Sequence, residues 1–203
     1  LIVMATFGGS AWTLADTEPA CSGEIVPRDD ADEREDGEPS LESYLKRAAR
    51  WHEEREYDKA IADYDRAIAL APKRIYIYWD RADAWYEKRE YAKALADLDR
   101  AIEINPRYLE GYAGRAWVRA ACPDAQFRDG AKAVQDATEV CKLSDWKTAA
   151  SLDTLAVAYA EAGQFDEAVK WQKKAIELVA PDRLERYRAR LKLYEKKTPY
   201  RDP

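Results

Sequence analysis

This sequence predicts an all-α fold built from stacked helix pairs, and three observations carry that reading. Small residues return on a 34-residue period from Leu41 onward. Two pairs of segments are near copies: Glu56–Ala60 with Glu90–Ala94, and Ile68–Pro72 with Ile102–Pro106. Each of the latter closes on a proline, which cannot continue a helical hydrogen-bond ladder and so stops the second helix of a pair. Composition agrees. The 203 residues are 47% hydrophobic, enough for a core, and 35% charged, as helices with solvated faces require. Only eight Gly and nine Pro exclude collagen-like and Pro/Gly-rich disordered chains.

In chain order, residues 1–20 read as a truncated signal peptide or a disordered leader. Leu1–Ala15 is apolar or small, and Gly9 with Ala11, or Thr13 with Ala15, suits the small-residue rule of a cleavage site. Fifteen residues are too few to span a bilayer, which needs about 20. An exported or periplasmic location is therefore expected, with a cytoplasmic one as the alternative, and membrane contact only through this leader. Residues 21–40 form an acidic linker. From Glu24 to Ser40 it carries no aromatic residue, so it cannot bury enough apolar area to offset ordering. Residues 1–40 hold ten acids and two bases, net −8, whereas residues 41–203 are net +2. The formal charge of −6 thus describes neither part.

Four units follow at 41–74, 75–108, 109–148 and 149–182. Their small positions are Ala48, Ala60 and Ala67; Ala82, Ala94 and Ala101; Ala116, Ala133 and Val140; Ala156, Ala168 and Ala175. Eleven of the twelve are alanine, which lets antiparallel helices approach closely and the next pair stack on them. Tyr44, Tyr78, Tyr112 and Leu152 recur early in each unit, and Trp51, Trp85 and Tyr159 recur one turn after the first small position. The third unit is six residues longer, five of them between its helices within the stretch Cys122–Gly130. Such an insertion maps to a loop on one face, as a contact site or as a tolerated loop. The turn position that often carries glycine is Arg55 and Arg89 in the first two units, and only Gly163 keeps it. Residues 183–197 would cap the array, with Leu184, Tyr187, Leu191 and Tyr194 at helical spacing and basic residues on the wet side.

This alanine grid, with its near copies, resembles the tetratricopeptide repeat family over residues 41–182, and the inserted CPDAQFRDG segment resembles a variant of bacterial members. The resemblance implies an α-solenoid of four helix pairs in which the first helix of each pair lines a concave groove that binds extended peptides or helices. Carried over position by position, the groove residues include Tyr76, Trp79, Asp83, Tyr86 and Glu87 of the second unit. They also include Glu110 and Trp117 of the third and Asp153 of the fourth, with His52, Ala120, Ala121 and Glu161 alongside. Seven of the twenty groove positions are acidic and none is Lys or Arg. That surface should favour a basic partner through field steering and cation–π contact. The family's clamp for acidic chaperone tails would fall on Leu45, Ala49, Asp80, Glu110 and Gly114, none of them basic or amide, so that mode is not expected.

Chemistry is poorly provided for. His52 is the sole histidine, and no nucleophile–base–acid set or glycine-rich phosphate loop stands out. Three cysteines, 101 and 19 residues apart, form no metal pair. Cys122 ends the first helix of the third unit, and Cys141 would lie roughly 20 Å beyond the start of the second, around Arg128, too far for a disulfide. The expectation is a non-enzymatic scaffold without cofactor, metal or small-molecule substrate, binding a protein or peptide with basic residues. Nucleic acid is not expected, since the groove has the wrong sign for phosphate. A self-assembly module, in which the basic C-terminal helix docks on another copy, is the alternative. A regulatory interaction domain of a larger bacterial protein is a further one.

Overall fold

The computed structural model describes residues 39–202, so the expected leader and nearly all of the acidic linker lie outside the described residues. Among the described residues there are nine α-helices and no strand, and no helix is long and apolar enough to cross a membrane. The chain divides into two compact units. The first holds α1 (Leu41–Glu53), α2 (Tyr57–Leu70), α3 (Ile75–Glu87) and α4 (Tyr91–Ile104). The second holds α5 (Leu109–Ala121), α6 (Gly130–Leu143), α7 (Ala149–Glu161), α8 (Phe165–Leu178) and α9 (Leu184–Glu195).

In the first unit α1 packs on α2, α2 on α3, and α3 on α4. In the second, α5 packs on α6 and α7, α6 on α7, α7 on α8, and α8 on α9. All twelve small positions of the sequence grid are 0% exposed, from Ala48 to Ala175. The alanine methyls at eleven of these crossings allow backbones to close to contact distance, and large residues fill the space between crossings. Ile61, Tyr64 and Ile77 do so around Ala60 and Ala67 in the first unit. Leu152 and Leu155 are as deeply buried in the second.

Helix ends follow local chemistry. Ser40 caps α1 by accepting the Ser43 N–H at 3.1 Å, and Thr148 caps α7 by accepting that of Ser151 at 3.2 Å. α2 and α4 stop at Leu70 and Ile104, followed by Ala71 and Asn105 in non-helical backbone ahead of Pro72 and Pro106, because proline disfavours helical geometry in the residue before it. The first helix of three pairs ends in a left-handed residue: Arg55 at φ 61°, Arg89 at φ 62° and Gly163 at φ 74°. In each case the next N–H reaches back along the helix, Glu56 to Trp51 O, Glu90 to Trp85 O and Gln164 to Tyr159 O. The arginines therefore hold a conformation that glycine adopts freely.

The insertion of the third unit is a built loop. The second helix, expected from about Arg128, begins instead at Gly130, because Asp129 is its cap and accepts the Lys132 N–H at 3.0 Å. A short 3-10 turn, Ala125–Phe127, is capped by Asp124, and the Asp129 N–H returns to Arg119 O at 2.8 Å. A Cβ on Gly130 would lie 2.6 Å from the Ala162 nitrogen, so the turn after α7 rests directly on this glycine. Cys122 and Cys141 are buried and form no disulfide with each other, and burial pushes the Cys141 thiol up to about 12.

Candidate functional site

The groove positions of the first unit lie on α1 and α3. Asp83 is buried, with its side chain 6% exposed, and its Oδ2 stands 3.2 Å from His52 Nε2 of α1. Neither His52 Nε2 nor Asp83 Oδ1 has a hydrogen-bond partner among the described residues. Asp80, one turn before Asp83, is half-buried. Burial first, and the Asp83 charge second, push its carboxyl up to about 7, with His52 opposing. Burial works against a charged His52, but Asp83, Glu87 and Asp80 outweigh it, so the imidazole holds its proton above the usual range. Around this cluster Tyr76 and Trp79 are half-buried, Tyr86 is buried edge-on against Tyr91 at 5.2 Å, and Glu87 is exposed within 3.4 Å of the Tyr57 hydroxyl.

Flanking arginines do not neutralise these acids. Arg47, Arg81 and Arg115 instead grip the second helix of their own pair with two-pronged contacts to Asp63, Asp97 and Asp136. The partners are separated by 16, 16 and 21 residues, the last carrying the five-residue insertion. Such fork-to-carboxylate pairs fix the angle between two helices as well as contributing energy. This spacing is present in the sequence as an Arg–Asp repeat, a signal that the more conspicuous alanine grid conceals.

The second unit arranges its groove positions otherwise. Glu110 is half-buried in the first turn of α5. Trp117 and Asp153, expected on an open face, are 3% exposed. The reason is the chain's own C-terminal part. Arg190 of α9, itself 3% exposed, pairs with Asp153 Oδ2, while Gln172 Nε2 donates to Asp153 Oδ1 at 2.8 Å. The same guanidinium lies 5.0 Å from the Trp117 ring and 4.6 Å from that of Tyr200. The helix expected to cap the array, and in the self-assembly alternative to dock on another copy, thus places Arg190 in its own unit. Beyond α9, Lys197 turns left-handed at φ 54°, and residues 198–202 run back over α5 and α7 as an irregular strap.

The strap makes four kinds of contact. Tyr200 packs against Trp117 with the rings tilted by 58° and their centroids 5.7 Å apart, and Trp117 Nε1–H donates to Asp202 at 3.3 Å. The Asp202 N–H donates to Ala121 O at 2.9 Å, and Arg201 donates to Ala120 O at 3.4 Å. Arg201 also lies 2.6 Å from Glu161 Oε2, whose other oxygen takes Arg128 Nε at 3.1 Å. Arg128 donates in turn to Cys122 O and Pro123 O, so the insertion carries one wall of the strap's seat. Ala121 lies at the end of α5, where a carbonyl lacks an intrahelical donor and welcomes positive charge. The basic tract after Pro181 and the acidic groove were each legible, but not that they meet within one unit.

Among the described residues no group of histidine, cysteine, aspartate and glutamate could hold a metal ion. The architecture is that of a helical-repeat protein, a class whose helix pairs present surfaces to other proteins. Tetratricopeptide repeat family models match residues 45–134 and 148–179, and the chain belongs to this family. The structure resembles two crystal structures of MamA. One has a TM-score of 0.63 at 14% identity over 77% of this chain and 81% of that one. The other has 0.59 at 23% identity over 74% and 81%. It also resembles TTC0263, a thermophilic TPR protein of Thermus thermophilus, with a TM-score of 0.51 at 20% identity over 78% of this chain and 98% of that one. At these identities the likeness concerns the fold. No curated protein sequence matches the chain.

Proposed function

We propose that this chain is a protein-interaction scaffold whose first unit takes a partner presenting Lys or Arg on the groove residues of α1 and α3. The observation that carries the reading is Asp83. A carboxylate buried with one oxygen unpartnered lacks a donor, and that shortage is costly in a site of low dielectric. Among the described residues no Lys or Arg pairs with Asp83 or Asp80, and Tyr76, Trp79 and Tyr86 supply aromatic surface beside them. An incoming ammonium or guanidinium would complete the hydrogen bonding of Asp83 and lower the Asp80 carboxyl again. An exported scaffold is part of the same reading, through the apolar stretch Leu1–Ala15.

The test uses labelled eight-residue peptides, one set basic with a single aromatic residue and one acidic, titrated by fluorescence anisotropy. The basic set should bind, and Asp83→Asn with Glu87→Gln should weaken it by about tenfold while helicity is kept. Acidification from pH 8 to pH 6 should weaken binding too. It carries Asp80 through its pKa of about 7 and charges His52, and both steps remove negative charge from the face. Equal binding of acidic and basic peptides, or indifference to the double substitution, would sink the reading.

A further inference from the structure

The strap lies on Trp117, Ala120, Ala121 and Glu161 of α5 and α7, and it lies there as a ligand would. We infer that the α5–α7 face of the second unit is a peptide site for an extended aromatic–Arg–Asp segment, and that residues 200–202 are its built-in competitor. Each part of that chemistry has a receptor on this face. Trp117 offers its indole ring to the aromatic side chain in a tilted contact and its N–H to the carboxylate. The carbonyls of Ala120 and Ala121 at the end of α5 take the guanidinium and a backbone N–H. Glu161, held by Arg128, takes the guanidinium from the other side. A partner with the same three groups in the same order would find every contact the strap now uses.

The strap is also the detachable part of this end of the molecule. On α9, Tyr187, Arg190 and Tyr194 are 1%, 3% and 1% exposed and belong to the core of the unit. By contrast Tyr200, Arg201 and Asp202 are only half-buried, and the Arg201 side chain is 36% exposed. Between them α9 is already closed, since the Lys197 N–H bonds Tyr194 O and the Thr198 N–H bonds Leu193 O. Residues 198–202 can therefore lift at Lys197 without opening the helix or the Arg190–Asp153 pair. Local opening of this kind parts the strap's contacts, including those of Tyr200 with Trp117 and Arg190, and leaves the helices in place. A ligand in solution must outcompete a segment tethered next to its seat, whose effective concentration is high.

The probe is a fluorescein-labelled peptide with the sequence of residues 196–202, Lys-Lys-Thr-Pro-Tyr-Arg-Asp, titrated against the full chain by anisotropy. Tyr200→Ala with Arg201→Ala should empty the seat and bind the peptide at least tenfold more tightly than the unaltered chain. Adding Glu161→Gln to that variant should remove most of the gain. If the double variant loses helicity, Arg201→Glu takes its place with the same expectations, because it alters a partly exposed guanidinium. Peptide binding no tighter in the strap variants, or unchanged by Glu161→Gln, would make the strap plain packing and overturn the inference. Dimers of the unaltered chain that vanish on Tyr200→Ala would overturn it as well, since the seat would then belong to a second copy.

Discussion

Glu87 and Glu161 stand at the same position of their repeats and meet opposite surroundings. Glu87, at the end of α3, is exposed and touched by the Tyr57 hydroxyl. Glu161, at the end of α7, sits between Arg128 and Arg201 with its side chain 13% exposed. Two groove aspartates at different repeat positions differ likewise: Asp83 keeps an unpartnered oxygen, whereas Asp153 has both oxygens engaged by Arg190 and Gln172. The repeat thus fixes where a side chain stands but not what covers it. Cover comes from parts outside the 34-residue grid, here the insertion, α9 and the strap.

The sharpest way to break the contrast is to strip the cover. Arg190→Ala leaves Asp153 buried without its cation and should lower stability by about 3–5 kcal/mol, read as the denaturant midpoint of helical circular dichroism. Adding Asp153→Leu to Arg190→Met should restore most of it, because a well-packed apolar pair replaces a buried ion pair at little net loss. A single substitution as mild as one at an exposed salt bridge would show that Arg190 does not hold the second unit together.

The first unit should respond to pH through Asp80 and His52. Asp80 has a folded pKa of about 7 against an ordinary value of 3.8, so the folded state binds its proton more tightly. Its contribution to stability is fully present below the unfolded value and is lost as pH rises through about 7. His52, also raised, adds a loss of the same sign from its unfolded pKa upward, ending above its raised folded value. Asp80→Asn should accordingly stabilise the chain by about 1–2 kcal/mol at pH 8 and by almost nothing at pH 3. Denaturation midpoints that stay parallel across that range would remove Asp80 from the account.

The smallest effect concerns the turns. The second unit closes α7 with Gly163, whereas the first closes α1 and α3 with Arg55 and Arg89 at positive φ. Arg89→Gly should stabilise by roughly 0.5–1 kcal/mol, and Gly163→Arg should destabilise by a similar amount, both visible as shifts in thermal midpoint. Equal midpoints would mean that arginine side-chain contacts at these turns offset the strain.

The sequence was most informative where one residue type meets one steric need. Alanine at a helix crossing has no substitute of similar size, so the grid from Ala48 to Ala175 reads out the pairs and their order. The turn arginines and the prolines after α2 and α4 were legible for the same reason. The site was legible only in part. Asp83, Tyr86 and Glu87 follow from helical position, but the burial that raises Asp80 depends on neighbours several turns away in the chain. The seat of the strap was hidden because Trp117 and Asp202 are 85 residues apart and the strap itself lies outside every repeat. Arg190 in particular looked like the wet side of a cap, since charge on a helix is ordinarily solvated, and nothing local marks it as the mate of Asp153.

The zero exposure of every grid position limits how such an array can change over generations. Chain length is free between the helices of a pair: five residues were added after Ala121, and the Arg115–Asp136 grip was kept across them. Volume is not free. One extra methylene group at Ala94 or Ala168 has no void to enter and must push two helices apart, at a penalty of about 1–3 kcal/mol. A lineage of these chains can lengthen its loops and restyle its surfaces while its girth stays fixed, and new binding functions should arise first at insertions such as the one that ends on Gly130.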